Sequence, residues 1–81
     1  MADPIVVHFT AAEMRVLGEL MKDGAENLQI AERLFLSPET VKSHMRKVLR
    51  KADLRGRAAL VLHLARRRII AINDQGRVVE F

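Results

Sequence analysis

Of the fourteen lysines and arginines in this chain of 81 residues, ten lie between residues 41 and 68, where the only acid is Asp53. Residues 1–40 reverse the balance, with three cations (Arg15, Lys22 and Arg33) against seven acids. The modest overall charge of +4 therefore conceals an acidic half and a strongly basic one. A separation of this kind makes a field that attracts and orients a polyanion. A solvated helix face would explain a charge run standing alone, but these cations coincide with a second pattern. Ser37 is a favoured N-cap and Pro38 suits the first helical position, which predicts a helix over 38–51. At about 100° per residue, Val41, His44, Met45, Val48 and Ala52 fall on one side of it, and Lys42, Ser43, Arg46, Lys47 and Arg50 on the other. One face packs; the other is free to meet phosphates and base edges.

Catalysis finds little to work with. His8, His44 and His63 stand far apart with no ligand-spaced partner, and no spacing yields a nucleophile triad or paired carboxylates. Neither enzyme, cofactor protein nor metal protein is expected. His44 lies at the edge of the packed face of its helix, where a structural role is favoured over a pH switch. With three Phe and no Tyr or Trp, a base-stacking platform for single strands or RNA is disfavoured.

The elements that must position the basic face read as four helices. Thr10 and Glu13 have capping-box spacing, so a first helix should run from after Thr10 to Lys22 or Asp23 and close at Gly24. Ile30, Ala31 and Leu34 form the apolar stripe of a second, from about Glu26 to Leu34, and Phe35-Leu36-Ser37 leaves only a short turn before the third. A fourth is expected from about Arg57 to Arg67, apolar nearly all round, with Leu60 and Leu64 on one side and Ala58, Val61, Leu62 and Ala65 on others. The β-prone runs 69–72 and 77–81 flank Asn73-Asp74-Gln75-Gly76, which reads as a hairpin or as a frayed tail; residues 5–9 are a third strand or an arm. The expected fold is mainly α, a four-helix bundle containing a helix-turn-helix, with a small C-terminal β-hairpin as the open question. Its divisions are an N-terminal arm or strand over 1–9, the helical domain over 10–70 and a tail or hairpin over 71–81.

From Phe9 to about Ile70 the chain resembles the LuxR/FixJ/GerE-type helix-turn-helix domain of bacterial transcription regulators. The resemblance rests on F-T-A-A-E-M-R-V-L at its start, on G-x-x-N-x-x-I-A-x-x-L-x-L-S from Gly24 to Ser37, and on T-V-K-x-H from Thr40 to His44. Ala12 and Arg15 stand where the family often has Arg and Glu, and Glu26 stands where it has Ser or Thr. The resemblance implies a DNA-reading third helix. Lys42, Ser43 and Arg46, which share one exposed arc, match the positions with which family members commonly read bases, and Arg46 is the best fit to a guanine edge. Thr40, Lys47, Arg50 and Lys51 are expected at phosphates. Asn27 and Ser37 sit near helix N-termini, where they either meet phosphate or serve as caps alone. Family members commonly dimerise through the fourth helix, which makes Val61, Leu62 and Ala65 the expected interface.

The expected function is therefore sequence-specific binding of duplex DNA in transcription regulation, by a homodimer formed at least on DNA. Three other readings stay open: a nonspecific or architectural DNA binder, a module that binds RNA polymerase or another regulator, and a domain cut from a larger response regulator. No run of 18 apolar residues exists to cross a membrane and the N-terminus has no basic region before its apolar stretch, so the expected address is the cytoplasm, at the bacterial nucleoid. Without Cys there are no disulfides or thiolate metal sites.

Overall fold

The computed structural model describes residues 3–81. Strand β1 (Ile5–His8) is followed by helices α1 (Ala11–Asp23), α2 (Asn27–Leu34), α3 (Pro38–Ala52) and α4 (Arg57–Ala65), then by strands β2 (Ile69–Ile72) and β3 (Val78–Val79). The fold is mainly helical with a small three-stranded sheet.

Local chemistry sets the helix ends. Thr10 Oγ1 accepts from the Glu13 N–H at 3.1 Å while Glu13 Oε1 accepts from the Thr10 N–H at 2.8 Å, a closed capping box that starts α1. Gly24 ends it in the left-handed region at φ 68°, its N–H donating to the Leu20 carbonyl at 2.8 Å. Helix α3 starts as its sequence dictates: Ser37 Oγ accepts from the Thr40 N–H at 3.1 Å, and Pro38 fills the first position.

The turn between α2 and α3 is made differently. Phe35 takes φ 56°, the left-handed region that favours glycine, and the Leu36 N–H returns to the Ala31 carbonyl at 2.9 Å. Its ring is 96% exposed, so no packing offsets the backbone cost. Phe35→Gly should therefore stabilise the fold by about 0.5–1 kcal/mol, the left-handed penalty of roughly 1–2 less the added entropy of a glycine. Urea denaturation checks this; a lowered midpoint would mean that the ring packs.

The core gathers the buried stripes of all four helices. Val16, Leu17 and Leu20 of α1 meet Ile30 and Ala31 of α2, Val41, Met45 and Val48 of α3, and Leu60 and Leu64 of α4. His44, at the edge of the packed face of α3, is half-buried. Leu28 and Leu62 remain exposed, as does Phe35.

Two C-terminal expectations are resolved by backbone geometry. The fourth helix stops at Ala65, two residues short of the expected Arg67, because Arg67 itself turns left-handed at φ 55°. The Arg67 N–H then donates to the Leu64 carbonyl and the Arg68 N–H to the His63 carbonyl, closing the helix and launching β2. The segment beyond is a hairpin rather than a frayed tail: β2 and β3 pair antiparallel, with Ile72 opposite Val78, around a turn in which Asn73 Oδ1 accepts from the N–H groups of Gln75 and Arg77 at 3.0 Å each. Residues 5–8 form the third strand, parallel to β2, with Ile5 opposite Ile69 and His8 opposite Ile72. Val7, Ile69 and Ala71 point into the helical core, which gives the small sheet the packing that an isolated hairpin lacks.

Candidate nucleic-acid interface

Helix α3 is anchored by burying Val41, Met45, Val48 and Ala52, and that fixes what its other side presents. Lys42, Arg46, Lys47 and Arg50 are exposed, while Ser43 and Thr40 are half-buried. The Lys42 amine rests 3.8 Å from Glu39 Oε1, an exposed contact that a stronger anion would displace at little cost. Lys42 and Arg46 border an open groove whose other walls are Asn27, Glu39, Met45 and Leu49, so the start of α2 and the exposed arc of α3 belong to one surface.

The capping residues divide. Ser37 Oγ is occupied by the Thr40 N–H and by the Thr40 hydroxyl at 2.8 Å, so both side chains secure the start of α3. Asn27 is the first residue of α2 and does not cap it; that place belongs to Glu26, whose N–H donates to Gln29 Oε1 at 3.0 Å. The cation of α2, Arg33, faces away from the groove. It forks onto Asp23 at 3.0 and 2.8 Å and approaches Glu19 at 3.6 Å, and its guanidinium holds the Asp23 carboxyl below the usual range.

A family profile described as bacterial regulatory proteins, luxR family, matches residues 7–64, which takes in β1 from Val7, helices α1 to α3 and most of α4. The chain belongs to the luxR family of bacterial regulatory proteins. It is 47% identical over 66 residues to the nitrate/nitrite response regulator protein NarP of Escherichia coli, a match covering 80% of this chain and 30% of NarP. It is 36% identical over 69 residues to the uncharacterized transcriptional regulatory protein YxjL of Bacillus subtilis, covering 85% of this chain and 31% of that protein. The chain thus spans less than a third of the length of these curated relatives. No solved structure matches it.

Strands β2 and β3 lie beyond the residues that the luxR-family profile matches. One member of the expected DNA face is also drawn toward the strand side of the molecule. Lys51 Nζ donates to Glu13 Oε1 at 2.6 Å and to the His8 carbonyl at 3.2 Å, and it lies 5.9 Å from the centre of the Phe9 ring. Glu13 is 1% exposed. Burial pushes its carboxyl up, but the Lys51 hydrogen bond, the Thr10 N–H and the lysine charge together outweigh that and leave it below the ordinary glutamate value. Lys51 therefore fastens β1, α1 and α3 together, which sets it apart from Lys47 and Arg50, whose side chains make no hydrogen bond or ion pair among the described residues.

Arg57, at the start of α4, was given no role in the sequence reading. It donates to the Ala25 carbonyl and, at 3.3 Å, to Asn27 Oδ1. A cation at a helix N-terminus opposes the helix dipole, and that local misfit is the signal that could have singled it out. On the outer side of α4, Leu62 and Ala65 are exposed, whereas Val61 packs partly against the core. Among the described residues there is no cluster of three His, Asp or Glu able to hold a metal, and no helix long and apolar enough to cross a membrane.

Proposed function

We propose that this chain binds duplex DNA sequence-specifically to regulate bacterial transcription. What carries the reading is the outward arc of exposed Lys42 and Arg46 and half-buried Ser43 on a helix whose opposite face is buried, beside a groove that reaches the start of α2. An α-helix fits the major groove, where side chains on its outer arc reach base edges and those at its flanks reach phosphates. Lys42, Ser43 and Arg46 read bases in this account. Lys47, Arg50 and Asn27 meet phosphates. Thr40 and Ser37 reach phosphate only through atoms not spent on their cap, and Lys51 through the one N–H donor that its bonds to Glu13 and His8 leave over. The protein works in the cytoplasm, at the nucleoid.

Selection of bound duplexes from a random library at near-physiological salt tests this reading. Enrichment of one motif is the expected result. Equal retention of all duplexes would favour a nonspecific binder, and retention of none would overturn the proposal.

The homodimer belongs to the same proposal. Leu62, 44% exposed, and Ala65 lie on the face of α4 that the core does not use, with Val61 at its margin. A patch this small closes against a rigid-body entropy cost, so pairing is expected chiefly on DNA, where adjacent half-sites raise the effective concentration. Two reading helices related by a two-fold axis should select inverted half-sites about 10 base pairs apart, centre to centre. Leu62→Asp should weaken binding to the paired site more than to a single half-site, as measured by gel shift. Native mass spectrometry showing one protomer on a non-palindromic site would remove the dimer and leave DNA binding in place.

A further inference from the structure

Arg57 and Asn27 are thirty positions apart in sequence and joined by a hydrogen bond whose polarity has a consequence. A guanidinium has donors only, so Asn27 must turn its amide oxygen toward Arg57. The amide nitrogen, with two N–H donors, is then directed away from it. This is the one side-chain hydrogen bond of Asn27 among the described residues, and Asn27 lines the groove shared with Lys42 and Arg46. Arg57 is itself held by the Ala25 carbonyl, so the fork is fixed by backbone on one side and can orient the amide on the other.

We propose that Arg57 is a positioning residue for DNA: it fixes the Asn27 amide so that its N–H donors meet a backbone phosphate at the start of α2. The inference rests on the DNA-binding reading above. It also accounts for an otherwise adverse charge. Glu26, exposed at the N-cap of α2, repels a phosphate at that position, and the Arg57 guanidinium beside Asn27 offsets it. A purely structural reading makes Arg57 a tie between α4 and α2 and gives the Asn27 nitrogen no part.

The two readings separate in Asn27→Asp, which keeps an acceptor for Arg57 and removes the N–H donors. The probe is the duplex selected above, carrying a neutral methylphosphonate at one backbone position at a time. The wild-type chain should lose about tenfold in affinity at one position near the start of α2, the size of one hydrogen bond to a charged group. In Asn27→Asp that loss should vanish or reverse, with thermal stability retained. In Arg57→Gln it should shrink although Asn27 is present, and Arg57→Lys, which keeps the charge but not the fork, should restore it only in part. If Arg57→Gln does not fold, Asn27→Asp alone decides. A methylphosphonate profile unchanged in Asn27→Asp would overturn the inference while DNA binding stood; failure of the wild-type chain to bind any duplex would overturn the DNA reading and this one with it.

Discussion

Lys51→Met lowers the thermal midpoint of the chain by roughly 10–20 °C, the shift that a loss of about 2–3 kcal/mol gives in a domain of this size. The substitution keeps the apolar stem and leaves the Glu13 carboxylate, 1% exposed, with the Thr10 N–H and no cation. Breaking a wholly buried pair costs about 3–5 kcal/mol, and the value here is smaller because the lysine side chain is 37% exposed. Removing both charges in Lys51→Met with Glu13→Gln should recover much of the loss, since most of the cost is the stranded charge and the glutamine oxygen still accepts from the Thr10 N–H. Calorimetry on the two single variants and the double variant checks this; an unchanged midpoint for Lys51→Met would show that the pair contributes nothing. The pH dependence has a definite sign. The folded-state value of Glu13 is depressed, so its contribution is complete above the ordinary glutamate value of about 4.3 and is lost as pH falls through the lowered one. For DNA binding, the phosphate role expected of Lys51 implies that Lys51→Ala weakens all duplexes alike. The ion pair adds a folding cost, so affinity must be compared at a temperature where the variant is fully folded.

Arg46→Ala should lose about 1–3 kcal/mol on the best selected duplex and relax the preference at one base position, because a bidentate guanidinium-to-guanine contact is worth that much against the wrong base. Its exposure on the groove beside Lys42 leaves the fold independent of it, and circular dichroism should be unchanged. Arg50→Ala provides the contrast. It should weaken all sequences similarly and lower the slope of log affinity against log salt by about 0.9, the contribution of one neutralised phosphate. Equal loss on selected and random duplexes for Arg46→Ala would remove it from the base-reading set.

What could be read from the sequence follows the range of the interactions. The starts of α1 and α3 were legible because Thr10 with Glu13, and Ser37 with Pro38, are decided within one helical turn. The buried stripe of α3 was legible because its period is set by the helix. The role of Lys51 was not, since its partner is 38 residues away and a lysine facing water has the same sequence signature as one facing a buried carboxylate. Arg57 was missed for the same reason, its partners lying 30 and 32 residues upstream. The sheet was half legible: turn chemistry at Asn73 allowed a hairpin without deciding it against a frayed tail, and nothing local pairs Ile5 with Ile69.

That last pairing sets an order of events for a nascent chain. Synthesis runs from the N-terminus, so β1 emerges before the helices and waits while all four are made, because its strand partner is β2. The helices make their contacts over short stretches and can gather early; the parallel pair closes a loop containing nearly the whole chain and comes late. Until then Val7 lacks its cover from β2, and the Ile5–His8 edge that will face β2, with no lysine or proline within it, is open to strands of other chains. Strand β1 is thus made before the helices and paired after them, and that interval leaves its inner edge exposed to aggregation.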